Sequence, residues 1–119
     1  MAELRWHPLI KDWVMIASHR QNRPQMPKDW CPFCPGSGRV PDNYEVYKYD
    51  NDFPVLSQKP PVPDDVPTNL YKMAEAYGKC EVILYSPDHK SSMYQFSIEH
   101  IVKIIDLWTE RFEDLKKDE

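Results

Sequence analysis

The sequence has few glycines, no long apolar run and no excess of basic residues, and each shortage excludes a class of protein. Three glycines stand against 12 prolines among 119 residues, which predicts stiff, extended connections. No apolar run approaches the ~20 residues that a membrane-spanning helix requires. The formal net charge is −4, and no basic run exceeds Lys116 and Lys117. Nonspecific binding to nucleic acid is therefore not expected, because it depends on neutralising phosphates.

The N-terminal segment MAELRWHPLI lacks the basic start and the apolar stretch of a secretory signal peptide. We therefore expect a soluble cytoplasmic protein, in a compartment where thiols stay reduced. The length fits one domain of ordinary size, whose core does not depend on disulfides. The three cysteines are then available for other chemistry.

Hydrophobic patterns predict an α+β domain, in which one helix flanks an antiparallel sheet. The runs LRWHPL and WVMIAS predict a β-hairpin, YEVYKYD predicts a further strand, and KCEVILYS predicts a strand at the centre of the sheet. Residues 24–45 predict an irregular lobe, and residues 51–69 an extended segment pinned by prolines. Ser97 is a suitable N-cap for a C-terminal helix. One face of that helix is predicted from apolar residues that recur every three or four positions: Ile98, Ile101, Ile105, Trp108, Phe112 and Leu115.

Cys31 and Cys34 are spaced Cys-x-x-Cys within the segment CPFCPGSG. A disulfide is disfavoured by the reducing compartment. A thioredoxin-type redox pair is also disfavoured, because that motif opens a helix, whereas the surrounding prolines and glycines predict a loop. A zinc knuckle fits better, since such a turn lets both thiolates meet one ion at about 2.3 Å.

A closed zinc site needs four ligands, so partners for the two cysteines must come from elsewhere in the chain. His89 is the best-placed third ligand, because it lies in the loop that follows the KCEVILYS strand. Cys80 begins that strand, about 30 Å away from the loop if the chain is fully extended. We therefore expect Cys80 to have no metal or disulfide role.

Four segments then occur in a recognisable order over nearly the whole chain: LRWHPLIKDWVMIASHRQNRP, CPFC, YDNDFPVL and GKCEVILYSPDHKSSMYQFSIEHIVKIIDLW. Together they resemble the N-terminal half of the galactose-1-phosphate uridylyltransferase family, within the histidine-triad superfamily. For residues 1–119 the resemblance implies a histidine-triad-like α+β half with a zinc-knuckle lobe. It also implies transfer of UMP between UDP-glucose and galactose-1-phosphate, in galactose metabolism, by an enzyme that is a homodimer in its full-length form.

In that family the nucleophile is the second histidine of a His-Pro-His segment, and the fourth zinc ligand lies just before it. Neither is present here, so the resemblance implies that the nucleophile lies beyond Glu119 and that these 119 residues alone are inactive. His7 is followed by proline, but no second histidine follows. We do not expect His7 to be the nucleophile.

The resemblance also assigns residues to the nucleotide site. Arg20 and Arg23 suit the phosphates, because phosphoryl transfer depends mostly on positioning and on charge stabilisation. The amide of Asn51 and the carboxylate of Asp52 suit ribose hydroxyls or the uracil edge, and Phe53 supplies an apolar wall. Without the resemblance, two solvated arginines and an Asn-Asp turn would be the simpler interpretation.

Two alternative functions stay open at this point. One is a related nucleotidyl or adenylyl transferase that acts on a sugar phosphate, because Asn51 and Asp52 alone do not distinguish uridine from adenine. The other is a noncatalytic zinc-knuckle binding module. If histidine is the nucleophile, the chemistry needs no Lewis acid, and zinc would have a structural role.

Overall fold

A computed structural model describes residues 2–22 and 29–118, which form two compact units. Unit 1 joins Met1–Gln25 to Asn51–Cys80, and unit 2 joins Met26–Asp50 to Glu81–Glu119. Each unit contains one antiparallel sheet, and unit 2 also contains the α-helix. The predicted α+β class is confirmed in this form.

Five strands and one α-helix make up the regular structure of the described residues. In chain order they are β1 (Ala2–His7), β2 (Asp12–Ala17), β3 (Tyr47–Asp50), β4 (Met73–Glu75), β5 (Glu81–Leu84) and α1 (Ile98–Leu115). Short 3-10 turns cover Ser18–Asn22 and Met93–Gln95. No described helix is long and apolar enough to cross a membrane.

The sheet of unit 1 has the strand order β2-β1-β4. β1 and β2 form the predicted hairpin, and the turn closes where the Lys11 N–H donates to the His7 carbonyl at 2.8 Å. The central strand, β1, carries a buried acidic residue, Glu3, which is only 4% exposed. That carboxylate accepts hydrogen bonds from the Arg5 guanidinium at 2.6 Å and from the Asp64 N–H at 3.1 Å. Burial of this charge is compensated by both donors.

The sheet of unit 2 consists of β3 and β5 in antiparallel pairing. The prediction that β5 occupies the centre of a sheet is wrong for the described residues, in which β3 is its one partner. α1 contacts this end of the unit instead, through Trp108 on the Tyr85 ring and Arg111 on Glu81. A short apolar run has the same appearance in sequence whether strands or a helix cover it.

α1 begins where predicted, with the Ser97 Oγ accepting a hydrogen bond from the His100 N–H at 3.2 Å. The predicted apolar face is only partly correct. Ile104 is the buried residue of the helix, at 1% exposure, whereas Ile98 is 77% and Phe112 is 69% exposed. The helix is apolar over more than one face, so periodicity alone could not select the face that packs.

The two proline-rich regions lack helices and strands, as predicted, within residues 29–45 and 51–72. The remaining part of the predicted lobe, residues 24–28, lies outside the described residues. One glycine is required for packing in unit 1. Gly78 has φ 146°, and a Cβ atom there would lie 3.0 Å from the Leu56 Cδ1 atom. The loop after β4 therefore closes against Leu56 only because residue 78 has no side chain.

Candidate metal and nucleotide sites

The cysteine segment of unit 2 curls into successive turns. The Cys34 N–H donates to the Cys31 carbonyl at 3.4 Å, and the Ser37 N–H donates to the Cys34 carbonyl at 3.1 Å. Gly36 has φ 85°, and its N–H donates to the Asp42 carboxylate at 3.0 Å. Small residues and a left-handed glycine thus give the loop that the sequence predicted.

A second tight turn follows β5 and presents His89. The Asp88 N–H donates to the Ser86 Oγ at 3.1 Å, and the Asp88 carboxylate accepts from the Lys90 N–H at 3.0 Å. The Ser91 hydroxyl donates to the Asp88 carbonyl at 2.7 Å. These local side-chain bonds replace a helix or strand ladder and hold the loop in shape.

The two turns place the side chains of Cys31, Cys34 and His89 close together. The Cys34 Sγ lies 2.9 Å from the His89 Nδ1, although the two residues are 55 positions apart. The ligand atoms of Cys31, Cys34 and His89 all lie within 4.8 Å of one another. Two sulfurs and one imidazole suit zinc, whose tetrahedral sites use these donors. The residues that the sequence selected therefore form a group that could hold a metal, and Cys80 is a separate, half-buried free thiol.

The oxidation state of the cysteine pair differs from the sequence expectation. Cys31 and Cys34 are joined as a disulfide, with their Cα atoms 5.3 Å apart. Zinc binds the thiolate form of cysteine, so the disulfide and the metal site exclude each other. The reason for the difference is geometric, since a turn that aims two sulfurs at one ion also brings them within reach of each other. A metal can bind here only after reduction.

The proposed nucleotide residues gather at a loop of unit 1. The Arg20 Nη1 donates to the Phe53 carbonyl at 2.9 Å, and the Asn51 Oδ1 accepts from the Phe53 N–H at 2.9 Å. Asp52, which lies between Asn51 and Phe53 in the sequence, is exposed. Arg23 lies outside the described residues. The loop that contains Asn51 and the 3-10 turn that contains Arg20 are thus in direct contact.

These contacts leave hydrogen-bonding capacity at the loop. The Arg20 guanidinium carries five N–H donors, and the bond to the loop uses one of them. The Asn51 oxygen is taken up by a local turn, which agrees with the simpler interpretation of Asn-Asp, but its amide nitrogen has no partner within residues 2–22 and 29–118. His19 Nε2 also lies 3.2 Å from the Pro54 carbonyl, which gives the 3-10 turn a second contact with the same loop. The loop therefore offers the positive charge of Arg20 and the amide N–H donors of Asn51.

Two contacts of structural importance carry no sequence signal that would have identified them. One is the ion pair between Arg111 and Glu81 in unit 2, with N–O distances of 2.8 and 2.9 Å. The other is the Tyr44 hydroxyl, which contacts both metal-site turns through their backbone carbonyls. Both join residues at least 11 positions apart, and neither belongs to a spaced motif.

Solved structures with the same fold include a uridylyltransferase and an ADP-glucose phosphorylase. A uridylyltransferase structure superimposes with a TM-score of 0.81 at 26% identity, covering 97% of this chain and 35% of that chain. An ADP-glucose phosphorylase from Arabidopsis thaliana, with bound ADP-glucose, gives a TM-score of 0.56 at 22% identity, covering 98% of this chain and 39% of that chain. The second likeness shows the fold alone.

These likenesses place the chain in the class of uridylyltransferase-like α+β domains. The family described as galactose-1-phosphate uridyl transferase, N-terminal domain, matches residues 1–119, and the chain belongs to that family. A galactose-1-phosphate uridylyltransferase from Thermotoga maritima is 32% identical over 118 residues, which are 98% of this chain and 37% of that protein. The chain thus spans little more than a third of the length of this relative.

Proposed function

We propose that this chain is the N-terminal, nucleotide-binding part of a galactose-1-phosphate uridylyltransferase. Such an enzyme transfers UMP between UDP-glucose and galactose-1-phosphate. The observation that carries the proposal is the family match over residues 1–119. The gathering of Arg20, Asn51 and Phe53 at one loop supports it, because an anion and a nucleoside need this combination of groups.

In the proposed site the guanidinium of Arg20, together with Arg23, binds the phosphates of UDP-glucose. Guanidinium groups suit this role because their planar donors match phosphate oxygens in pairs. The amide of Asn51 and the carboxylate of Asp52 bind the ribose or the uracil edge, and the ring of Phe53 covers the apolar side. Together these residues fix the position of the α-phosphorus for attack.

The proposed reaction proceeds through a uridylylated histidine. An imidazole nitrogen attacks the α-phosphorus of UDP-glucose, and the phosphorus–oxygen bond to glucose-1-phosphate breaks. A phosphate oxygen of galactose-1-phosphate then attacks the same phosphorus and frees the imidazole. We place this histidine in a His-Pro-His segment beyond Glu119, since none of the four histidines present is followed by Pro-His. Residues 1–119 then form the domain that precedes the nucleophile.

The four histidines of the chain have other contacts, which supports this placement. His7 Nδ1 accepts a hydrogen bond from the Ile10 N–H at 3.4 Å. His100 Nε2 lies 2.5 Å from the Tyr85 carbonyl. His19 and His89 contact the Pro54 carbonyl and the Cys34 sulfur, as described above.

Zinc is the proposed cofactor, bound by Cys31, Cys34 and His89 in the reduced protein, with a fourth ligand beyond Glu119. Bound there, it would supply a structural cross-link between segments that are far apart in sequence. The requirement for thiolates fits a cytoplasmic location, which we also propose. The full-length enzyme is proposed to be a homodimer.

Calorimetry of nucleotide-sugar binding tests the proposal. UDP-glucose should bind the 119-residue chain weakly and a chain extended past Glu119 more tightly, and Arg20→Ala should weaken binding about tenfold because a hydrogen bond to a charged group is lost. Arg39→Ala removes an equal charge from unit 2, directly after the cysteine segment, and serves as the matched control.

ADP-glucose is the comparator ligand in the same experiment. Tighter binding of ADP-glucose would favour an adenylyl transferase. No binding of either ligand to the extended chain would favour a noncatalytic module and would contradict the proposed function.

A further inference from the structure

Tyr44 lies between the two turns that carry the proposed metal ligands. Its hydroxyl is 3.1 Å from the Phe33 carbonyl and 3.4 Å from the Ser86 carbonyl. Phe33 immediately precedes Cys34, and Ser86 lies three residues before His89. One side chain therefore contacts the backbone of both segments close to their ligand residues.

Each turn has hydrogen bonds of its own, but these bonds do not set the distance between the two turns. The cysteine turn is held by its own backbone bonds, and the histidine turn by the bonds around Asp88. The 2.9 Å separation of Cys34 Sγ and His89 Nδ1 depends on contacts that span both turns. The Tyr44 hydroxyl is such a contact, with the single proton of its O–H shared between two carbonyls.

Aromatic packing fixes the position of this hydroxyl. The Tyr44 ring packs against the Tyr47 ring with centroids 5.7 Å apart. The Phe33 ring packs edge-on against the Tyr49 ring of β3 at 5.3 Å. Tyr44 and the cysteine turn are thus both seated at the same strand and the residues leading into it, so the carbonyls meet the hydroxyl in a defined geometry.

We infer that Tyr44 is a positioning residue for the metal site, whose hydroxyl holds the Cys31–Cys34 turn and the His89 loop at the spacing that one divalent ion requires. The inference rests on the proposed zinc site and adds a residue that is not itself a ligand. Groups that orient metal ligands through hydrogen bonds commonly contribute about 10–100-fold to metal affinity.

The phenol is suited to this role because it stays protonated. Burial raises the pKa of Tyr44 above its ordinary value, so the O–H remains a donor throughout the neutral range. Replacing the hydroxyl by hydrogen leaves the ring in place and removes only the link between the turns.

Zinc affinity of the reduced chain, measured by competition with a chromophoric chelator, tests the inference. Tyr44→Phe should bind zinc about tenfold more weakly than the unmodified chain. Tyr47→Phe is the matched control, because it removes a hydroxyl from the neighbouring ring, and its affinity should be unchanged. Circular dichroism of α1 checks that both variants are folded.

A double-mutant cycle with His89→Ala separates positioning from a general structural effect. If the Tyr44 hydroxyl acts by placing His89, then Tyr44→Phe should cost no further affinity once His89 is absent. Equal affinity of Tyr44→Phe and the unmodified chain, or additive losses in the double variant, would overturn the inference and leave the zinc proposal standing. Absence of zinc binding by the reduced, unmodified chain would overturn both.

Discussion

Arg111 and Glu81 form a well-buried ion pair in unit 2, with side-chain exposures of 14% and 3%. The guanidinium binds both carboxylate oxygens and also contacts Asp114, and the hydrogen bond to Glu81 raises the pKa of Arg111. Lys48 lies 3.7 Å from the same carboxylate. A buried carboxylate is costly without such partners. The pair therefore fixes the helix relative to β5.

Replacing Arg111 tests how much the stability of unit 2 depends on this ion pair. Arg111→Met is expected to lower the free energy of unfolding by about 3 kcal/mol, because the buried Glu81 carboxylate would lose the guanidinium that binds both of its oxygens. Lys103→Met, on the same helix, breaks an exposed ion pair with Glu45 and should have a much smaller effect on stability. Urea denaturation followed by circular dichroism measures both. Similar losses in the two variants would contradict the role given to burial.

The metal ligands give a second prediction at the scale of single residues. The reduced chain should bind about one zinc, Cys31→Ser should lose it, and Cys80→Ala should retain it, because Cys80 lies outside the ligand group. Elemental analysis of protein prepared without chelator gives the stoichiometry. Loss of metal in Cys80→Ala would show that the third ligand is wrongly assigned.

Oxidation provides a separate prediction for the same turn. A mild thiol oxidant such as diamide should release the zinc as Cys31 and Cys34 form their disulfide, since each sulfur then lacks the thiolate electron pair that binds metal. A colorimetric zinc indicator follows the release, and added reductant should reverse it. Zinc that stays bound while thiol titration shows both cysteines oxidised would contradict the proposed ligands.

At the scale of elements, the positions of the hairpin and of the helix start could be predicted from the sequence, but the contacts between elements could not. The hairpin and the N-cap at Ser97 were predicted because alternation and capping depend on neighbouring residues. The packed face of α1 was predicted only in part, because the run IVKIIDLW is apolar on adjacent faces and the choice depends on an ion pair with Glu81, 30 residues earlier. For the metal group, spacing indicated Cys31 and Cys34, and the position of His89 after a predicted strand indicated the third ligand. The disulfide and the Tyr44 contacts depend on folded geometry.

The start of α1 can be tested at this scale. Ser97→Ala removes the acceptor for the His100 N–H and should lower the free energy of unfolding by about 1 kcal/mol. Ser97→Asp keeps an acceptor oxygen and adds a negative charge at the helix N-terminus, so it should retain stability. Thermal unfolding of the two variants, compared with the unmodified chain, distinguishes them. An equal loss in both would mean that the cap contributes little.

At the scale of the whole molecule, the chain combines a proposed nucleotide loop in unit 1 with a proposed metal site in unit 2, and it spans 37% of the length of its Thermotoga relative. The first group would bind substrate, and the second would stabilise the fold. Neither supplies a nucleophile, so binding and turnover should separate in this chain.

The 119-residue chain should therefore show no turnover of UDP-glucose and galactose-1-phosphate. Loss of a nucleophile from a double-displacement enzyme costs several orders of magnitude, and positioning by Arg20 and Asn51 cannot replace it. A coupled assay for glucose-1-phosphate release, at high protein concentration, measures this. Activity that disappears only in His7→Ala would instead identify His7 as the nucleophile.

β2 has a consequence for the behaviour of the chain in the test tube. It lies at the edge of its sheet, and exposed apolar side chains project from both of its faces: Trp13, Val14, Met15 and Ile16. An apolar edge strand is a template on which other extended chains can add. We expect concentrated stocks to become turbid, and ammonium sulfate to hasten this by strengthening apolar association. Val14→Lys adds a charge to this apolar edge, so its solutions should scatter less light than those of the unmodified chain at equal concentration.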